Sequence, residues 1–80
     1  MGFQKEIELA LSLGYTVEKQ QHVADPPIFN RSRLPHPRIR IWCCVFKGKI
    51  TWTCAELDNG GWVNHRRYDD LTVAITTEAK

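Results

Sequence analysis

The spacing of apolar and polar positions changes several times along this chain. From Phe3 to Leu13 apolar side chains recur at helical spacing. Phe3, Ile7, Ala10 and Leu11 share one face, Leu9 and Leu13 widen it, and Gln4, Lys5, Glu8 and Ser12 take the other side. A stripe of this kind predicts an amphipathic helix over 3–13, packed on a core. Gly14 supplies the left-handed conformation that ends a helix. Tyr15–Lys19 then alternates with period two, which predicts a short strand.

Asp25-Pro26-Pro27 and Pro35-His36-Pro37 bracket the next stretch. Proline cannot donate to a ladder and holds its predecessor extended, so residues 26–37 are expected to form a loop pinned by Ile28 and Phe29. Arg38–Phe46 and Lys49–Leu57 are two β-rich runs around Lys47-Gly48, which predicts a hairpin with a two-residue turn. One hairpin face would collect Ile41, Cys43, Val45, Ile50, Trp52 and Cys54. The other would collect Arg40, Trp42, Cys44, Phe46, Lys49, Thr51 and Thr53. The first is apolar and is expected to face the helix; the second mixes aromatic and basic groups.

Asp58-Asn59-Gly60-Gly61 favours a type I′ turn, because Asn and Gly accept positive φ. Trp62–His65 should return as a further strand, with Trp62 across from Leu57. Its exposed edge is a place where a second copy could pair. At the C-terminus β-branched residues favour a strand, but Asp69 as N-cap, Asp70 in the first turn and a Tyr68–Val73 staple favour a helix. Leu71, Ala74 and Ile75 share a helical face, and the helix is preferred. The predicted fold is a single α+β domain over residues 1–80: an N-terminal helix on a three- or four-stranded antiparallel sheet, with a short C-terminal helix. Its expected core is Ile7, Leu11, Ile41, Cys43, Val45, Ile50, Trp52 and Trp62.

Charge sharpens this picture. No acidic residue lies between Pro26 and Ala55, and Arg31, Arg33, Arg38, Arg40, Lys47 and Lys49 give that segment a formal charge of +6. The segments on either side carry −2 each, leaving +2 overall. An uncompensated cationic block calls for a partner or for ample solvent.

Candidate catalytic chemistry is sparse. Cys43 and Cys44 are adjacent, so on a strand they point to opposite faces and cannot close on one ion. Neither a C-x-x-C nor a paired histidine spacing occurs, although Cys43, Cys54, His22, His36 and His65 make a zinc site conceivable. A Cys43–Cys54 disulfide would need an oxidising compartment. Ser12 and Ser32 lack a nucleophile motif, Gly60-Gly61 is a turn rather than a phosphate loop, and Asp69-Asp70 is explained by capping. No cofactor is called for and no enzyme activity is expected. No apolar run approaches a membrane span, and the start of the chain carries no secretory pattern. A cytoplasmic, membrane-free setting with reduced thiols is expected.

The remaining candidate is the basic and aromatic surface. Arg38, Arg40 and Lys49 fall beside Trp42 and Phe46, Arg31 and Arg33 lie on the preceding segment, and Arg66 and Arg67 add a second cluster. Basic groups attract phosphates, and aromatics stack on bases. Trp, Tyr and Arg also dominate protein-interface energetics.

The order helix, strands, helix resembles the double-stranded-RNA-binding domain. That family opens its last helix with lysines over phosphates, whereas here the stretch is the acidic Tyr68-Asp69-Asp70-Leu71, so the resemblance is one of element order. Small size, absent catalytic groups and a helix-plus-sheet plan are similar to the small inhibitor proteins of phages and mobile elements, anti-CRISPR proteins among them. The expected function is a non-catalytic protein-interaction module that docks this face on an acidic protein surface. Nucleic-acid binding by the same face is the alternative, and a small zinc or redox protein is the second.

Overall fold

The computed structural model describes residues 3–18, 26–33 and 36–80, with backbone alone at 33, 36 and 37. Its elements are α1 (Gln4–Ser12), β1 (Thr16–Glu18), β2 (Ile28–Arg33), β3 (His36–Phe46), β4 (Lys49–Asp58), β5 (Gly61–Tyr68) and α2 (Leu71–Glu78). The five strands form one antiparallel meander in chain order. The α+β plan is as expected, but the sheet has five strands rather than three or four. The extra strand is β2, in the stretch expected to be a loop. Pro26 and Pro27 precede it, so their missing N–H groups remove no ladder bond. Pro37 falls where the β2–β3 register shifts, and such irregularities tolerate proline.

Both β4 turns follow from their sequence. Phe46 pairs with Lys49, and Lys47 and Gly48 have φ of 53° and 74°, the positive values a type I′ turn requires. Asn59 and Gly60 repeat this at φ 51° and 83°. Leu57 then faces Trp62. The returning strand continues past His65 to Tyr68. A register shift opposite the Cys54–Glu56 stretch accommodates it, with Asn64 taking a left-handed φ of 56°.

Alternation along the paired strands separates two sheet faces. Both helices pack on one of them. Phe29, Ile39, Ile41, Trp52 and Cys54 are buried there with Ala10, Tyr15, Leu71, Ala74 and Ile75. Phe3 and Phe29 meet the Trp52 ring edge-on at 5.6 and 6.2 Å between centroids. The Tyr15 hydroxyl donates to the Ile75 carbonyl at 2.8 Å, tying the segment after α1 to α2.

The core differs from expectation at four positions. Leu11 is 55% exposed, because the buried stripe of α1 runs through Ala10 and leaves Leu11 on the flank. Val45 and Ile50 have the expected facing but are 68% and 62% exposed, since the helices do not cover the end of the hairpin. Trp62 lies on the opposite face, where its pairing with Leu57 puts it. Ile41 and Trp52 are buried, and Ile7 and Cys43 pack at the core margin.

At α2 the cap is Asp70 rather than Asp69: the Val73 N–H donates to its carboxylate at 3.2 Å. Leu71, Ala74 and Ile75 are buried as expected, joined by Glu78. The staple does not form. Val73 is exposed, and the Tyr68 hydroxyl instead donates to Glu78.

Candidate functional site

Among the described residues, no helix covers the second sheet face. Its centre is built by size matching. The central strand β4 contributes the small Thr51, Thr53 and Ala55, all buried. Larger side chains on β3 and β5 close over them. Trp42 meets Trp62 at 6.3 Å and His65 at 6.1 Å, both edge-to-face. The result is a thin aromatic layer with one side toward solvent.

Cations are stacked on this layer. The Arg40 guanidinium lies 4.9 Å from the Trp62 ring centre. It is fixed there by donating from Nε to Asn30 Oδ1 at 2.9 Å and by a 3.8 Å ion pair with Glu18. Asn30 in turn donates to Glu18. Further along, Arg67 lies 4.1 Å from the centre of the Phe46 ring, with Lys47 at 5.4 Å. A guanidinium on a ring face gains quadrupole attraction while its N–H edges stay free to donate. Lys49 is exposed at the hairpin end. Arg38 is exposed and lines a shallow cavity of about 310 Å³ with Thr16, Asn30, Arg31 and Ser32. Among the described residues, Glu18 is the only carboxylate at an open-face strand position, and Arg40 pairs with it.

The structure thus places Arg38, Arg40, Trp42, Phe46, Lys49 and Arg67 along one sheet face, with Arg38 and the Phe46–Lys49 rung toward opposite ends of it, and adds Trp62 and His65. Trp62 was detectable from the sequence: a partner of Leu57 must share its face with Trp42. His65 was hidden by the irregular stretch at Asn64, which resets the alternation.

Three arginines stand elsewhere. Arg31 points to the helix side, donating from Nε to the Leu13 carbonyl at 2.9 Å and lying over Tyr15. It braces the end of α1 against β2. The Arg33 backbone lies in β2 opposite His36, and its side chain is outside the described residues. Arg66 also faces the helices. It grips Glu78 through two hydrogen bonds of 2.6 and 2.8 Å, and also donates to Glu56 at 3.2 Å and to the Asn64 carbonyl at 2.7 Å.

This partly buried network, centred on the buried Glu78, sets the local protonation. The hydrogen bonds to Glu78 push the Arg66 pKa up, so its charge is permanent. Burial, reinforced by Glu78, pushes the Tyr68 hydroxyl and the Cys54 thiol each up to about 12. Burial and then Cys44 raise the Cys43 thiol. Both thiols stay protonated at neutral pH and are poor nucleophiles. Cys43, Cys44 and Cys54 are free thiols, so the Cys43–Cys54 disulfide is not formed. Among the described residues no three His, Cys, Asp or Glu side chains gather as metal ligands; His22 lies outside them. Among the same residues no helix is long and apolar enough to cross a membrane. Comparison with known proteins finds no family model, no characterised relative and no solved structure that the chain significantly matches.

Proposed function

We propose that this chain is a non-catalytic interaction module that docks the open face of its sheet on an acidic protein surface, blocking or recruiting the protein that bears it. The observation that carries this reading is the sorting of side chains. Both helices pack on one face, and the other carries Arg40, Trp42, Trp62, Phe46 and Arg67 with, among the described residues, a single carboxylate at a strand position, already paired. Large aromatics held by guanidinium groups have little side-chain entropy left to lose on binding. Their cationic field favours a carboxylate-rich partner.

A protein partner is favoured over nucleic acid by how the rings are occupied. Base stacking needs an open ring face. Trp62 and Phe46 each have a cation over one face, and Trp42 is engaged edge-on by Trp62 and His65. The guanidinium edges are what remains to be recognised, and they match carboxylates bidentately.

The test is affinity capture from cell lysate, with and without nuclease, using wild type and a triple Arg38→Glu, Lys49→Glu, Arg67→Glu variant. The three positions are exposed, so the variant should melt within a few degrees of wild type. The reading expects a captured protein that survives nuclease, elutes with salt and is lost with the variant. Release by nuclease would assign the face to nucleic acid, and equal capture by the variant would refute the face altogether.

A further inference from the structure

The sheet steps back at one corner. β1 begins at Thr16, opposite Asn30, while β2 runs on to Arg33. Among the described residues, no strand borders that last part of β2. A polar cavity of about 310 Å³ opens at the step, with Gly14 and Thr16 on one side, Asn30, Arg31 and Ser32 on the other, and Arg38 contributed by β3. The β2–β3 register shifts between Arg31 and Arg33, the kind of irregularity that re-aims side chains. Arg31 is held against the wall. Its Nε donates to the Leu13 carbonyl at 2.9 Å, and a Cβ at position 14 would lie 3.7 Å from that nitrogen. Nε is therefore engaged, and the two terminal amino groups remain. Neither Arg31 nor Arg38 has an ion pair among the described residues. Glu18 also lines the cavity, but Asn30 donates to it and Arg40 pairs with it at 3.8 Å, so its charge is already answered.

We infer that this cavity is a binding site for a phosphate monoester carried on a polar group. Two unanswered guanidinium charges match a dianion, and a phosphate monoester carries about −1.5 to −2 at neutral pH. A carboxylate or a phosphodiester brings a single charge. The terminal N–H groups of Arg31 and Arg38, with the Ser32 hydroxyl, also outnumber the two oxygens of a carboxylate, whereas a monoester offers three acceptor oxygens. The planar fork of arginine grips such oxygens in pairs. The volume is about ten times the share of one liquid water molecule, which leaves room for the group that bears the phosphate. That group is polar, because no aliphatic or aromatic side chain lines the cavity. A free sugar phosphate and a phosphorylated side chain of a protein present this same chemistry. Phe46, Trp62 and Arg67 are not part of the lining, so the inference does not rest on the docking reading.

The test follows the amide resonances of the whole chain during titration with methyl phosphate, dimethyl phosphate and acetate in turn, at neutral pH. Methyl phosphate should shift Gly14, Thr16 and Ser32 saturably and bind about tenfold or more tightly than either monoanion. Arg38→Gln, at an exposed position, should weaken it by about fivefold or more, and Arg31→Lys, which keeps the charge but loses the fork, should do the same. Should Arg31→Lys unfold the chain, Arg38→Gln alone decides. Lys49→Gln/Arg67→Gln, outside the cavity, should stay within about twofold of wild type. Glycerol 3-phosphate and a phosphoserine peptide then separate the two sources: the tighter binder names the source, and equal affinity shows that the phosphate alone is read. Equal binding of the three anions, shifts centred on Phe46 and Arg67, unaltered affinity in Arg38→Gln, or no saturable shift at all would each overturn the site.

Discussion

Arg66 and Arg67 are neighbours in sequence and opposites in role. Strand alternation sends Arg66 under the helices, where it holds the buried Glu78, and sends Arg67 out over Phe46. The same contrast runs through the whole sheet. On the helix side two arginines have protein acceptors: Arg31 has the Leu13 carbonyl, and Arg66 has Glu78, Glu56 and the Asn64 carbonyl. On the open side Arg40 and Arg67 lie on rings, and Arg40 alone among the described residues has an ion pair there. Composition cannot distinguish these two kinds of arginine. The partner does in this adjacent pair: Arg66 meets the buried Glu78, and Arg67 meets only an exposed ring.

The largest expected effect breaks the helix side. Arg66→Ala leaves Glu78 buried with its main partner gone. Removing one member of a buried pair costs roughly 3 kcal/mol, and in a domain this small that lowers the melting temperature by about 15 °C or more. Arg67→Ala removes an exposed contact and should cost about 0.5–1 kcal/mol. Thermal melts of the two single variants compare adjacent residues directly, and equal losses would erase the distinction.

Alkali probes the same network. The hydroxyl of Tyr68 and the thiol of Cys54 have their pKa raised to about 12, from ordinary values of 10 and 9. A raised pKa means the folded state favours the protonated form. The stabilisation is whole below about pH 9 and is lost as pH climbs toward 12. Urea midpoints should fall across that window. Tyr68→Phe should flatten the upper part of the decline, and an unchanged profile would remove Tyr68 from the account.

A smaller effect separates two adjacent acids. Asp70→Ala removes the cap on Val73 and should cost about 1 kcal/mol, whereas Asp69→Ala should change stability by less than about 0.5 kcal/mol. Reversed values would show that the helix begins one residue earlier.

Much of this architecture was readable because local chemistry and burial agreed. The two-residue turn at Lys47-Gly48 fixed the parity of β3 and β4, and with it which of Arg40, Trp42 and Phe46 face away from the helices. Asn59-Gly60 did the same for β4 and β5, although the facing of Trp62 follows only when that parity is carried across the turn. What escaped had a non-local cause. Residues 28–33 look like a loop because prolines bracket them, yet a strand is allowed there since the prolines fall before it and at an irregular pairing. Val45 and Ile50 carry a core-like pattern, and only the extent of α1 and α2 decides that nothing covers them. The Arg66–Glu78 pair joins residues twelve apart on different elements, a distance at which sequence spacing gives no signal.

The most direct measurement is the fate of the captured protein when the three outward cations, Arg38, Lys49 and Arg67, are reversed together in a chain that still melts within a few degrees of wild type. The account predicts that capture by the wild-type chain resists nuclease and disappears with the reversed one. A reversed chain that folds normally and still retains the same protein would contradict the separation of this sheet into a structural side and a docking side.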